Sequence, residues 1–194
     1  MCGVFLLVRS AGITPYHRTI SEKAVKLLSH RGPDNNNIYF TKNLAIGHSR
    51  LSILDLTNRS NQPFYSENLD SYLAINGEII NYIELAKKYD IDLNTAGSDC
   101  NVIFQLFNRF GVEKIINDME GMFAGIYVNS KKNLSIIFRD RFGIKPIYYA
   151  KIKDSFVVSS EINSILPFLD KPIQNKSVVR DFIIDGNIDH SNET

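Results

Sequence analysis

Cysteine, tryptophan and long apolar runs are scarce or absent in this 194-residue chain, which has two cysteines and no tryptophan. Cys2 and Cys100 are too few for a disulfide framework or a zinc site, and the four histidines show no metal-ligand spacing. No apolar run approaches the ~20 residues that span a bilayer. The N terminus also lacks the positive region of a signal peptide. We therefore expect a cytoplasmic protein with no metal site and no membrane anchor.

The chain has almost no net charge, because 22 Lys and Arg residues stand against 21 Asp and Glu residues. This balance argues against nucleic-acid binding driven by a basic field. Hydrophobic residues make up 44% and charged residues 22% of the sequence, as is ordinary for globular proteins. The length predicts one domain, or one domain with a tail.

Strand-like patterns open the chain and dominate its second half, and helical patterns lie between them. Gly3–Arg9 is rich in Val, Phe and Leu, which predicts a buried strand. Thr19 and Glu22 fit a capping box for a helix that ends near His30. The other predicted strands are 38–40, 44–48, 72–75, 122–128, 134–139, 147–152 and 156–159. The other predicted helices are 80–89, 98–110, 161–166 and 177–184. Residues 31–37 are a predicted loop, and residues 185–194 a predicted polar tail. This order favours an α+β fold with sheets covered by helices.

Cys2 directly follows the initiator methionine, which opens a catalytic option. Removal of Met1 would place a thiol and a free α-amine on one residue. Their ordinary pKa values are about 8.5 and about 7.7–8.0, so the amine can serve as general base for the thiol near neutral pH. The alternative is that Cys2 is a small apolar residue at the start of an edge strand. Taken alone, Cys2 favours that alternative.

Seven short segments shift the interpretation of Cys2 towards the catalytic role. They are MCG at 1–3, HRGPD at 30–34, GHSRLSILD at 47–55, NGEI at 76–79, GSD at 97–99, GMFA at 121–124 and RDRFGIKP at 139–146. In this order they resemble the glutaminase domain of glutamine-hydrolysing asparagine synthetase, a class II glutamine amidotransferase. The resemblance covers residues 2–170. It implies the N-terminal nucleophile hydrolase fold, a four-layer αββα sandwich of two antiparallel sheets.

The resemblance also implies how glutamine would be recognised. Arg50 would bind the α-carboxylate, since a planar guanidinium donates two parallel hydrogen bonds. Backbone atoms of Leu51 and Ile53 would line the same pocket. Asp99 and Glu78 would bind the α-ammonium. An alternative for Asp99 is simple complementation of a helix dipole in the first turn.

The same resemblance assigns the chemistry to three residues. Cys2 would attack the side-chain amide, and Asn76 with Gly77 would form the oxyanion hole. Loss of one oxyanion donor typically costs about 2.7–4 kcal/mol of transition-state stabilisation. An Asn-Gly pair is also a common hairpin turn, and Glu78 is expected in the turn after strand 72–75. The remaining motif residues have expected structural roles: His30 in a loop near the pocket, Cys100 in the core, and 139–146 as a turn.

The phosphate-binding loop of a synthetase domain and the Walker A motif are both absent from the sequence. We therefore expect no cofactor in this chain, with ATP and magnesium serving only a separate synthetase domain. Residues 2–170 would form the amidotransferase domain, and 171–194 a linker or the start of that synthetase domain. The expected partners are L-glutamine and the C-terminal synthetase domain, with a homodimer as one assembly of a full-length protein.

Two other functions stay open at this stage. One is the glutaminase of a sugar-phosphate or phosphoribosyl amidotransferase. The other is a module that keeps the fold as a regulatory or interaction surface without catalysis. The ammonia acceptor, aspartate or another carboxylate, is not fixed by these residues. The sequence also fits both the N-terminal part of a longer protein and a naturally short descendant.

Overall fold

Two antiparallel sheets stack face to face in the computed structural model, which describes residues 1–186. The strands in that range are β1 Gly3–Arg9, β2 Asn35–Phe40, β3 Leu44–Arg50, β4 Phe64–Ser66, β5 Ser71–Ile79, β6 Gly121–Asn129, β7 Leu134–Arg139, β8 Tyr148–Ile152 and β9 Ser155–Ser159. The α-helices are α1 Pro15–Lys26, α2 Tyr82–Tyr89, α3 Leu93–Ala96, α4 Asp99–Phe110, α5 Val112–Ile116 and α6 Lys176–Asp185. None of these helices is long and apolar enough to cross a membrane.

The first sheet has the order β2-β3-β1-β9-β8 and the second the order β4-β5-β6-β7. Strand β1, which follows Cys2, is therefore central and pairs with β3 on one side and β9 on the other. The register sets Gly3 opposite Ser49 and Val4 opposite His48. Because β1 is held on both edges, the chain at Cys2 starts from a fixed position.

Alternation along the strands creates the layers. Val4 and Leu6 of β1 pack between the sheets against Ala74 and Ile126. The odd-numbered neighbours of β1 point the other way, and Phe5 packs in the cluster that includes α1. Helix α4 covers the outer face of the second sheet. The described chain is thus layered α, β, β, α, as the resemblance implied.

The predicted capping box at Thr19 is wrong. Helix α1 begins at Pro15, after Thr14, and the Thr19 hydroxyl lies inside the helix and donates to the Pro15 carbonyl over 3.3 Å. Proline suits the first helical position because its missing N–H needs no partner there. By contrast, Ser98 does cap α4, and its side chain accepts a hydrogen bond from the Asn101 N–H over 3.4 Å.

Three other element predictions need correction. The loop predicted over 31–37 ends before Asn35, because pairing with β3 draws three consecutive asparagines into strand β2. The helix predicted over 161–166 is two 3₁₀ turns, Ile162–Ser164 and Leu166–Phe168, which are separated by Ile165; Pro167, in the second turn, lacks the backbone donor that a continuous α-helix would use. The helix predicted to start at residue 80 starts at Tyr82.

The C-terminal prediction is confirmed for its helix, α6. The predicted polar tail lies outside the described residues from residue 187 onward. The boundary at residue 170 stays a prediction.

Candidate active site

Strand alternation brings the predicted nucleophile and its neighbours to one end of the layer between the sheets. Cys2 continues the even-numbered, inward-facing series of β1, and Arg50 continues that of β3. Asn76 follows Ala74 on the inward face of β5. The Cys2 thiol sulfur lies 3.4 Å from the Leu51 backbone nitrogen and 3.7 Å from the Leu51 carbonyl oxygen. The two strand ends thus meet at the cysteine.

A cavity opens at this point, and it is lined by every predicted site residue except Asn76. Asn76 is buried, with 1% of its surface exposed. The lining residues are Cys2, Arg50, Leu51, Ile53, Gly77, Glu78 and Asp99 from the prediction, together with Leu54, Asp55, Ser60, Gln62, Ile75, Ser98 and Cys100. The site residues named from sequence therefore converge, and the roles assigned to them stay predictions.

The Cys2 thiol is not a spontaneous thiolate. Burial raises its pKa, and the opposing effects of the Leu51 hydrogen bond, the N-terminal ammonium and the nearby arginines do not reverse this. A base is therefore needed to remove the proton at neutral pH. His30 does not line the cavity, and its Nε2 lies 2.9 Å from Glu161. The Nε2 of His48 is bonded to the Ile75 carbonyl oxygen.

Asn76 and Gly77 lie inside strand β5 and not in a hairpin turn, so that alternative is wrong. They pair with Ala124 and Phe123 of β6, and Glu78 is likewise in the strand and not in a turn after it. Gly77 has no room for a side chain, because an added Cβ would lie 2.4 Å from the Met122 carbonyl oxygen. A backbone this close to its neighbour holds its N–H in a fixed direction.

The Asn76 side-chain nitrogen is buried and has no hydrogen-bond partner among residues 1–186. Burying an unpaired amide donor is costly, so such a group needs an explanation. An unpaired donor on the inward face is compatible with the oxyanion role expected for Asn76, which stays a prediction.

Arg50 serves the loop that follows it. Its Nη1 donates to the Thr57 carbonyl over 2.9 Å and to the Asn61 side-chain oxygen over 2.8 Å, and its Nη2 donates to the Asp55 carbonyl. A guanidinium has five N–H donors. Among residues 1–186, three of these Arg50 donors make hydrogen bonds to the loop. The Nε–H and one Nη2–H are left for a ligand. The loop itself exposes Ile53, with 74% of its surface accessible.

Asp99 and Glu78 add negative charge to the cavity. An Asp99 side-chain oxygen accepts the Ile79 N–H over 2.9 Å. Burial raises the pKa of Asp99, backbone hydrogen bonds lower it, and the Glu78 charge raises it further. Two acidic side chains at one place suit a cationic ligand group. Asp99 also lies in the first turn of α4, so its dipole role holds at the same time.

Sequence reasoning missed several residues that build the site. The Arg31 Nε donates to the Cys2 carbonyl over 2.9 Å, and its Nη1 lies 2.9 Å from Glu161. Asp55 accepts from the Thr57 N–H, the Arg59 Nε and the Ser60 hydroxyl at 2.7–2.9 Å. Arg31 and Asp55 lie inside the quoted segments 30–34 and 47–55, which was the only available signal.

Cys100 is buried in α4 as expected, yet it also lines the cavity. Its predicted helix position beside Asp99 was the only clue to this. Burial raises the pKa of its thiol well above the ordinary value, and the negative charge of Asp99 acts in the same direction. Cys100 is thus a poor thiolate.

Two stacked antiparallel sheets covered by helices on both outer faces are the architecture of the N-terminal nucleophile hydrolase fold. A solved structure of glutamine phosphoribosylpyrophosphate amidotransferase from Bacillus subtilis has this arrangement, with a TM-score of 0.69 and 21% sequence identity. The match covers 86% of this chain and 43% of that chain. The predicted fold is confirmed.

The sequence comparisons define the family. A family model described as "Glutamine amidotransferase domain" matches residues 1–192, so the chain belongs to that family. Asparagine synthetase [glutamine-hydrolyzing] 2 of Bacillus subtilis is 33% identical over 190 residues, covering 96% of this chain. Asparagine synthetase B [glutamine-hydrolyzing] of Escherichia coli is 39% identical over 144 residues, covering 73% of this chain. The chain spans 25% and 26% of the length of these two relatives.

Proposed function

We propose that this chain hydrolyses the side-chain amide of L-glutamine to glutamate and ammonia. The observation that carries the proposal is one cavity with the half-buried Cys2 thiol, a guanidinium edge and two carboxylates, beside a buried unpaired amide donor. Glutamine presents an amide, an α-carboxylate and an α-ammonium. Each handle therefore meets a group of matching chemistry.

The proposed reaction begins with transfer of the Cys2 thiol proton to the Cys2 α-amine, once Met1 has been removed. The sulfur then forms a bond to the amide carbon, and the carbonyl oxygen becomes an oxyanion that accepts hydrogen bonds from the Asn76 amide and the Gly77 N–H. The carbon–nitrogen bond breaks, and the nitrogen leaves as ammonia with the proton that the amine returns. Water then hydrolyses the γ-glutamyl thioester, which releases glutamate and the thiol.

Substrate recognition follows from the charges around the thiol. The free Nε–H and Nη2–H of Arg50 would bind the α-carboxylate. Asp99 and Glu78 would bind the α-ammonium. These groups do not change during the reaction, so they contribute to affinity more than to turnover.

We propose further that the ammonia is destined for an ATP-dependent synthetase-type domain, with asparagine as one product. The relatives that carry the name asparagine synthetase support this, and the two cited above are each about four times as long as the matched segment. Residues 171–194 would then connect to that domain. No group in this chain is assigned to ATP or magnesium.

The decisive experiment measures ammonia release from glutamine by two preparations of the same chain. In one, a cleaved leader frees the Cys2 α-amine; in the other, an uncleaved leader leaves Cys2 in an ordinary peptide bond. Only the first preparation should be active. Equal activity would contradict the amine as base.

A Cys2→Ala variant with a free N terminus completes the test. It should bind glutamine but release no ammonia, because Arg50 and Asp99 are intact while the nucleophile is gone. If the wild type with a free Cys2 releases no ammonia even at saturating glutamine, the non-enzymatic module replaces this proposal.

A further inference from the structure

The strand that carries the oxyanion residues loses its outer neighbour just before them. Short strand β4 pairs with β5 only at Ser71, Tyr72 and Leu73. From Ile75 onward, the edge of β5 that faces away from β6 has no strand beside it among the described residues. An unpaired edge presents backbone N–H and C=O groups that need other partners.

Side chains take the place of the missing strand. The Ile75 N–H donates to the Gln62 side-chain oxygen over 2.7 Å, and the Ile79 N–H donates to Asp99 over 2.9 Å. Backbone direction repeats every two residues in a strand, so the Gly77 N–H lies between these two on the same edge. It is the edge donor that faces the cavity, and it is bracketed by two fixed neighbours.

The Ile75 carbonyl is held as well, and from the opposite sheet. The His48 Nε2 donates to this oxygen over 3.0 Å. His48 is in β3 and lies opposite Val4 of β1, two residues from Cys2. This hydrogen bond therefore ties the nucleophile-bearing sheet directly to the residue before Asn76.

The protonation state of His48 suits a hydrogen bond from Nε2 to the Ile75 carbonyl oxygen. Its side chain is fully buried, which lowers its pKa to about 4, so the ring is neutral at pH 7. A carbonyl oxygen only accepts hydrogen bonds, which places the single ring proton on Nε2. Gln62 is likewise buried, with 5% of its surface exposed, and its side-chain oxygen accepts the Ile75 N–H.

We propose that His48 and Gln62 are positioning residues that set the distance between the oxyanion donors and the Cys2 sulfur. The two hydrogen bonds, from His48 to the Ile75 carbonyl and from the Ile75 N–H to Gln62, form the Ile75 clamp. The proposal rests on the proposed glutamine hydrolysis. Oxyanion stabilisation depends on donors held within about 0.5 Å of the productive geometry, and a misplacement of about 1 Å can cost 100-fold in rate.

The first test compares kinetic constants. His48→Leu and Gln62→Met remove one clamp bond each while keeping similar side-chain volume. Both should lower kcat about 10- to 100-fold and leave KM within about threefold, because glutamine binding uses other groups. His48→Gln, which keeps a side-chain donor, should restore most of the lost rate.

A matched control separates positioning from general loss of stability. Leu44 is in the same strand and on the same inward face as His48, but at the far end of the layer. Leu44→Ala should lower the melting temperature without lowering kcat at 25 °C. If kcat falls as much in Leu44→Ala as in His48→Leu, or if neither clamp variant lowers kcat, the clamp has no positioning role.

A second measurement does not depend on activity. In His48→Leu and Gln62→Met, amide hydrogen exchange at Ile75 and Gly77 should quicken by more than the loss of global unfolding free energy explains. In Leu44→Ala, exchange at the same two amides should quicken only as much as its own loss of global unfolding free energy explains. Unchanged local exchange in both clamp variants overturns the inference. A wild type with no ammonia release would refute the proposed function, whereas the exchange data alone would then decide whether the clamp holds this edge.

Discussion

Acidification should destabilise this protein through one fully buried histidine, His48. An unfolded chain binds a proton at this side chain with a pKa near 6.5, whereas the folded protein binds it only near pH 4. Between these values the unfolded state holds more protons, so the free energy of unfolding rises with pH. The stabilisation from the neutral ring is complete above about pH 6.5 and is lost as the pH falls to about 4.

The magnitude follows from the distance between the two pKa values. One pKa unit corresponds to about 1.4 kcal/mol, so the interval from 6.5 to about 4 corresponds to about 3 kcal/mol of unfolding free energy. The physical cause is burial of the ring, which disfavours the charged form, with a smaller opposing effect of the Ile75 carbonyl. The total free energy of unfolding of a small domain is only about 5–15 kcal/mol, so this loss is large.

Urea unfolding at several pH values between 7.5 and 4 tests this expectation. The control is His48→Gln, which does not titrate in this range, while all other ionisable groups remain the same and cancel in the comparison. The free energy of unfolding of the wild type, relative to the variant, should fall by about 3 kcal/mol between pH 7.5 and 4. A difference independent of pH would refute the assignment of a neutral, buried His48.

Three further substitutions test the site and its frame. Gly77→Ala should abolish glutamine hydrolysis and lower the free energy of unfolding by about 1–3 kcal/mol in urea, because the new Cβ meets the backbone of β6. Arg50→Lys should raise KM at least about tenfold, since an ammonium cannot serve both the loop and a carboxylate; a fall in kcat alone would contradict this. Asp140→Ala should cost about 3 kcal/mol, measured by urea unfolding with Asp140→Asn as the milder control, because the carboxylate accepts four backbone N–H groups.

The sequence by itself determined the features that depend on neighbours along the chain. The Val, Phe and Leu content of 3–9 located β1, and the Ser98 side chain with the apolar stripe after it located α4. The ordered motif segments were enough to name the residues that line one cavity, with Asn76 buried beside them. These signals are local, so a single sequence contains them.

Other features were decided only by tertiary structure, and Asn76-Gly77 is the clearest case. Locally the pair favours a hairpin turn, but β5 pairs with β6 from Ser71 to Ile79 and keeps both residues extended. The same pairing places Glu78 in the strand. Nine paired positions outweigh the turn preference of two residues, and no local pattern reveals the register of a strand some 45 residues away.

The supports of the site follow the same rule. Arg31 reaches the Cys2 carbonyl across 29 residues, and His48 reaches Ile75 across 27 residues and from the other sheet. The residues next to each of these side chains in sequence give no sign of its distant partner. Their roles arise because stacking two sheets buries polar groups that must find partners, and only the packed structure determines which partner each one meets.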